Sequence, residues 1–257
     1  MFATYEHFSR IAPRYSQLRT TDAAPVLYAL TRMQGPAIIH SADVGCGSGR
    51  YGKILFSHLK NRLRLVCLDE NQAMLKELRR NLRARAQQLH VVCSQARDLP
   101  LPAKSLDCMF TFNAIHHFKT QAFLREAARI LKAKGVLFIY TRSRSQNGRN
   151  IWGRYFPQFH DKENRLYELE ELLALLAGTA GLSVEAISTF KYRRTATLQQ
   201  LLSRAHNRHY STFDLYAEQE FRAAVRKFAQ NIKVKYENPN AVTWTDENFM
   251  LVVRKSE

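Results

Sequence analysis

Over the first 140 residues, short apolar runs alternate with stretches whose apolar positions recur every three or four residues. The runs at 40–44, 63–68, 90–93, 106–112 and 136–140 read as strands. The intervening stretches at about 50–60, 72–88 and 120–132 read as helices, because their apolar positions fall on one face of a 3.6-residue period. Asn71 is placed to cap the second of these helices, and Gly135 to stop the third before the fifth strand. Regular strand–helix alternation predicts an α/β fold, a parallel sheet with helices on both faces.

Beyond residue 140 the pattern changes. Residues 142–150 are polar and basic and read as a loop, and residues 151–159 are dense in aromatic side chains. An amphipathic helix follows at 167–176, a sixth strand at 182–190, two basic helices at 198–208 and 213–230, and a last strand at 249–253. We expect one domain over residues 1–257, with an N-terminal cap segment at 1–25 and lid or cap insertions at 142–165 and 190–240.

The stretch Asp43-Val44-Gly45-Cys46-Gly47-Ser48-Gly49 joins the first strand to the first helix. Glycines let the backbone turn sharply and come close to a ligand, since no Cβ intervenes. Asp69 ends the second strand, where a carboxylate is placed to accept hydrogen bonds from a ribose diol. Both features fit a dinucleotide site, about 20 residues separating the loop from the acidic residue. The loop spacing is Gly-x-Gly-x-Gly, however, and Asp43 just before it would repel a pyrophosphate. A ligand with ribose, adenine and a cationic centre fits better.

Further along lie Gln95-Ala96-Arg97-Asp98-Leu99-Pro100, Phe112-Asn113-Ala114-Ile115-His116-His117-Phe118 and Ile130-Leu131-Lys132-Ala133-Lys134-Gly135. With the glycine loop and Asp69, this series resembles the motifs of class I S-adenosylmethionine-dependent methyltransferases, over roughly residues 38–140. Among these, the ubiquinone/menaquinone-biosynthesis group (methyltransferase type 11) is most similar, also in its N-terminal Phe8-Ser9-Arg10-Ile11-Ala12-Pro13-Arg14-Tyr15. The resemblance implies a Rossmann-like, doubly wound, seven-stranded sheet, mostly parallel with an antiparallel last strand, plus a small helical cap. It implies S-adenosylmethionine as methyl donor and S-adenosylhomocysteine as product.

By the same resemblance, Gly45, Cys46, Gly47 and Gly49 would line the methionine side, with Asp43 near its ammonium. Asp69 would hold the ribose hydroxyls, and Glu70 and Asn71 would lie near the adenine edge. Gln95 and the Ala96 N–H would face the adenine, and the Asn113 backbone the methionine and acceptor. Where the family has an acidic residue, Gln95 offers an amide oxygen that accepts the same hydrogen bond. The second glycine before the fifth strand is replaced by Val136.

His116 and His117 follow the fourth strand, at the sheet edge where α/β ligands bind, and are the candidate general bases. Tyr15, Arg19, Trp152 and Tyr155 are candidates for the acceptor pocket.

The chain has 39 basic and 22 acidic residues, a formal charge of +17. This favours an anionic partner. A small-molecule acceptor is the first expectation, partly apolar and carrying a carboxylate or phosphate. RNA, tRNA especially, is the second, and a non-catalytic cofactor-binding role the third. No Asn/Asp-Pro-Pro-aromatic or Pro-Cys motif follows the fourth strand, which speaks against exocyclic amine and cytosine C5 chemistry. Cys46, Cys67, Cys93 and Cys108 show no metal-type spacing, so no metal is expected and the thiols are expected buried and reduced. No run is long enough to span a membrane, and the N-terminus lacks the basic and apolar blocks of a secretory signal, so a cytoplasmic location is expected.

Overall fold

Seven strands form one sheet: β1 (Ile39–Val44), β2 (Leu63–Asp69), β3 (Leu89–Cys93), β4 (Leu106–Phe112), β5 (Leu131–Thr141), β6 (Leu182–Ala196) and β7 (Val242–Lys255). The structure, a computed structural model, describes residues 2–33 and 36–257. The strand order is β3-β2-β1-β4-β5-β7-β6. The first five strands are mutually parallel, and β7 runs antiparallel to both β5 and β6. This is the seven-stranded Rossmann-like sheet that the sequence led us to expect.

Helices α1 (Phe2–Ile11), α2 (Tyr15–Leu18) and α3 (Ala24–Arg32) precede the first strand. Helices α4 (Arg50–Leu59), α5 (Gln72–Asn81) and α6 (Thr120–Ile130) belong to the alternating part. Between β5 and β6 come α7 (Arg144–Arg149), α8 (Ile151–Tyr155), α9 (Phe159–Lys162) and α10 (Leu169–Ala177); α11 (Leu198–His206) and α12 (Glu218–Lys235) lie between β6 and β7.

The central strands are apolar on both faces, because helices cover both. On β5, Val136, Phe138 and Tyr140 join a core with Phe110, Leu55, Phe56 and Leu75. The alternate residues Leu137 and Ile139 join a second core with Phe123, Leu124 and Leu172. A third core, built on Trp152, Phe156, Phe159, Phe213 and Phe228, holds α8, α9, α11 and α12 together as a cap.

Several expectations need correction. Residues 144–149 are helical, because Ser143 and Gln146 form a capping box: the Gln146 N–H donates to Ser143 Oγ at 3.0 Å and the Ser143 N–H to Gln146 Oε1 at 2.9 Å. The sixth strand continues to Ala196, pairing with β7 through Ala196↔Val242, so the insertion begins only near residue 197. Helix α12 starts at Glu218, residues 211–215 being a 3-10 turn. Helix α5 stops at Asn81, and 83–88 is 3-10 helix. Helix α6 ends at Ile130, and the left-handed residue before the paired part of β5 is Lys134 (φ 62°), not Gly135. Cys93 is exposed, at the end of edge strand β3, while the other three thiols are buried.

Among the described residues, no helix is long and apolar enough to cross a membrane.

Phe156 is 2% exposed and packs against the rings of Trp152, Phe159, Phe213, Tyr216, Phe221 and Phe228. Phe156→Ala is expected to lower stability by about 3–5 kcal/mol in chemical denaturation. Tryptophan fluorescence should report the loss, because Trp152 shares this core.

Candidate active site

The glycine loop leaves the carboxyl end of β1, whose neighbours β2 and β4 send their connections to opposite faces of the sheet. That divergence opens a crevice, the usual ligand position in open α/β sheets. Gly45, Gly47 and Gly49 all have left-handed backbones (φ 72°, 53° and 79°). The Gly45 and Cys46 N–H groups donate to Leu68 O at 2.8 and 3.2 Å, tying the loop to β2.

The three glycines differ in what they make room for. A Cβ on Gly45 would lie 2.5 Å from Ala114 Cβ, and one on Gly49 would lie 2.9 Å from Leu78 Cγ. These two let protein segments pack. A Cβ on Gly47 would meet only Tyr15, at 3.7 Å, and Gly47 borders a cavity.

Asp69 closes the crevice on the β2 side. Its two carboxylate oxygens accept N–H bonds from Gly47 (2.8 Å) and Asn71 (2.9 Å), which fixes the carboxylate while leaving acceptor lone pairs facing the cavity. Burial pushes its carboxyl up to about 6, against the two backbone N–H bonds that favour the charge. Asp43 lies behind the loop, 1% exposed, and its Oδ1 has no hydrogen-bond partner. Burial, reinforced by the charge of Asp69 and opposed by Arg50, pushes its carboxyl up to about 8.

The first cavity is also lined by Glu70, Asn71, Gln95, Ala96 and Asn113. Ser94 borders it with a buried Oγ that has no partner. Asn71 caps α5 by accepting the Met74 N–H at 3.0 Å. Its amide also donates to Tyr5 O (2.9 Å) and Ser9 Oγ (2.8 Å), so α1 is fastened beside the cavity. Helix α1 reaches the cap as well, through His7 Nδ1 (2.7 Å) and Arg10 (2.6 Å) on the Asp214 carboxylate.

A second, more polar cavity lies between the sheet edge, the N-terminal segment and the cap. It shares Phe8, Tyr15, Asn113 and His117 with the first. Asn113 has φ 54°, tolerable for asparagine. Its conformation is held by an N–H bond to Tyr140 O at 2.7 Å and by the Asn248 amide donating to its Oδ1 at 3.1 Å.

His116 and His117 lie together, ring centroids 4.0 Å apart. Both are half-buried; His116 lines the second cavity and His117 lines both. Burial pushes His116 down to about 3, with Arg165, Arg19 and Arg142 adding to it. It also holds His117 well below the usual histidine value, with His116 and Arg165 adding. Both rings are therefore neutral at pH 7.

Eight of the eleven cofactor-site candidates line the first cavity. Asp43, Cys46 and Gly49 stand behind the wall rather than in it. The Cys46 side chain turns into the core beside Cys67, and burial raises its thiol well above the usual range. Of the acceptor-pocket candidates, Tyr15 and Arg19 line the second cavity. Trp152 reaches it with its edge but is mainly core, stacked on Phe228 with centroids 5.0 Å apart. Tyr155 is not there: it packs edge-on against Tyr236, centroids 5.9 Å apart, and borders a separate groove with Arg149. Ser94, Asp22, Arg142, Glu163 and His209 escaped the sequence reading. Only Arg142 had a usable signal, its place just past the carboxyl end of a strand.

Among the described residues, no group of His, Cys, Asp and Glu is arranged to hold a metal ion.

Comparison with known proteins agrees with this geometry. The family described as "Methyltransferase domain" matches residues 42–139. A Mycobacterium tuberculosis protein named "Probable S-adenosylmethionine-dependent methyltransferase" is 33% identical over 134 residues, which is 51% of this chain and 45% of that protein. A human protein named "Probable tRNA methyltransferase 9B" is 28% identical over 148 residues, 56% of this chain and 30% of that protein. The chain thus spans about half or less of the length of these curated relatives. The geranyl diphosphate C-methyltransferase of Streptomyces coelicolor, solved with S-adenosylhomocysteine, superposes with a TM-score of 0.57 at 15% identity, covering 91% of this chain and 76% of that one. With the strand order, the glycine loop and Asp69 in place, residues 42–139 match the methyltransferase-domain family and carry its sheet order and loop.

Proposed function

We propose that this chain transfers the methyl group of S-adenosylmethionine to a small-molecule acceptor held in the second, polar cavity. The observation that carries the reading is the wall of four residues common to the two cavities, which supports an acceptor site adjoining the donor site.

The residues of the first cavity fit the cofactor. Behind the glycine loop that walls this cavity, the unpartnered Asp43 Oδ1 is a buried acceptor that a ligand ammonium would satisfy. Gly47 leaves the space that a Cβ would fill, and Asp69 presents a fixed carboxylate suited to a diol. When bound, the cofactor supplies an electrophilic methyl on a sulfonium leaving group. The protein then needs chiefly to align the acceptor with that methyl, and alignment alone supplies much of the rate. His117, on the common wall and neutral, is the group placed to take a proton from an acceptor that must lose one; His116 backs it. The Asn113 backbone, fixed by Tyr140 and Asn248, forms the rest of the junction.

A second reading, methyl transfer to RNA, is favoured by the charge of +17 and by the similarity to proteins named as tRNA methyltransferases. The two are separated by incubating the protein with labelled cofactor and fractionated cell extract, with and without nuclease. Label in a low-molecular-weight product that survives nuclease supports the small-molecule reading; label lost with nuclease overturns it.

Asp43 yields a paired prediction. Its folded value of about 8 lies above the ordinary carboxyl value of 3.8, so the native state holds a proton the unfolded chain has released. This contribution to stability is present below about pH 4 and is lost as pH rises to about 8. Asp43→Asn should therefore melt higher than the wild type at pH 8, the gap narrowing toward pH 5. The same variant should bind S-adenosylmethionine roughly 10–100-fold more weakly in calorimetry, the loss of about 1.5–3 kcal/mol from a charged hydrogen bond. Wild-type binding at pH 7 should also release a proton, seen as a dependence of the heat on buffer ionisation.

The glycines divide the same way. Gly45→Ala should destabilise the fold, since its Cβ collides with Ala114. Gly47→Ala should cost only about 1–2 kcal/mol, for the left-handed backbone, yet lose cofactor binding by filling the cavity. Melting curves and calorimetry on both variants check the contrast.

A further inference from the structure

The second cavity is lined by more cations than its carboxylates neutralise. Asp22, Glu163 and Asp246 are its acidic residues. Asp22 accepts from Arg194 at 2.6 Å, and Asp246 accepts from Arg194 Nε at 3.2 Å and from Trp244 Nε1 at 3.1 Å. Glu163 accepts from Arg165 Nε at 2.8 Å and from the Thr212 hydroxyl. All three carboxylates are thus engaged, two of them by one arginine.

Arg19, Arg50 and Arg142 line the same cavity, and none is in an ion pair among the described residues. Arg50 is satisfied by neutral groups, donating to Thr20 O at 2.9 Å and Thr21 Oγ1 at 2.6 Å. Arg19 donates to His209 O at 3.2 Å and lies over the Tyr210 ring, 4.2 Å from its centroid. Arg142 is the least satisfied. Its Nη1 is buried without any partner, and its Nη2 makes one long contact, 3.5 Å, to Asn248 Oδ1. The Tyr210 ring, 5.9 Å from its guanidinium, lies between it and Arg19 in the sense that both cations share that ring.

A buried guanidinium with open donors is costly unless something pairs with it. Nothing about its backbone is loose: Arg142 directly follows Thr141 at the end of β5 and precedes the Ser143 capping box. Guanidinium groups match oxyanions in charge and in the spacing of their donors. We propose that the acceptor carries an oxyanion, a carboxylate or phosphate, and that Arg142, with Arg19 beside it, is its counter-ion. The proposal rests on the reading of this cavity as the acceptor pocket. Arg142 and Arg19 are in this scheme specificity residues, which orient the acceptor and reject its neutral isosteres.

The test uses the full chain saturated with S-adenosylhomocysteine. Its melting temperature is followed with millimolar benzoate, phenyl phosphate and benzamide, the last a neutral match in shape to benzoate. One or both anions should raise the melting temperature, on the order of 2 °C, and benzamide should not. Whichever anion gives the larger shift identifies the carboxylate or the phosphate as the recognised group. The response should disappear in Arg142→Met, weaken in Arg19→Met, and be partly kept in Arg142→Lys. Equal shifts with benzoate and benzamide, no shift with either anion, or an undiminished anion response in Arg142→Met would each overturn the proposal. Should Arg142→Met fail to fold, the wild-type comparison and the Arg19→Met and Arg142→Lys variants decide the matter. Failure of the wild type to bind S-adenosylhomocysteine is a separate result: it removes the methyltransferase reading itself.

Discussion

The reversal of strand order at β1 governs this molecule. β2 and β3 lie on one side of β1, β4 and β5 on the other, and the chain leaving β1 must pass over the top of the sheet between them. A turn that tight, pressed against both Leu68 and Ala114, admits only residues without a Cβ at its closest points. The glycines are thus first a packing solution, and their N–H groups are taken up within the protein, by Leu68 O, the Asp69 carboxylate and Cys46 O. Asp69 is placed by the same turn, because the Gly47 N–H that it accepts belongs to the loop.

On each side of the site one buried ionisable group is left without a partner. Asp43 is an acid without a partner on the donor side, and Arg142 a cation without one on the acceptor side. Each is fixed by regular structure, Asp43 within β1 and Arg142 between β5 and a capped helix. Removing such groups from water costs free energy in the empty protein, and it is recovered only when a ligand of the opposite sign arrives. A cationic donor and an anionic acceptor are the pair that this arrangement accommodates.

The parallel half of the fold was readable because its signals are local. Apolar runs bounded by turn residues mark β1 to β5, and the glycine loop and Asp69 sit where the alternation changes phase. The cap was harder for a physical reason. Its third core is assembled from α8, α9, α11 and α12, far apart in sequence, so no window of residues displays it. The capping box of Ser143 and Gln146 was visible as Ser-x-x-Gln, but the basic residues around it masked a helix of six residues. Tyr155 and Trp152 are three residues apart in one aromatic run. Only the tertiary packing sends one into the cap core and the other to the groove beside Tyr236. Arg142 could be located by its place after β5, but its lack of a partner is a property of the assembled cavity alone.

The position of the arginines also bears on which acceptor the positive charge serves. A nucleic-acid backbone is held by Lys and Arg on the surface, each neutralising a phosphate as counterions leave. Arg142 and Arg19 are half-buried and line the second cavity, and α1 beside it is held through Tyr5 and Ser9 to Asn71 and through His7 and Arg10 to Asp214. Set in a cavity wall rather than along an exposed face, they suit one anionic group on a compact acceptor better than a run of phosphates. An RNA acceptor would have to extrude one nucleotide into the cavity, paying to unstack it, and would have to present an anion on the base itself. The surface charge then acts at longer range, drawing either kind of anion toward the crevice, while discrimination falls to the two arginines within.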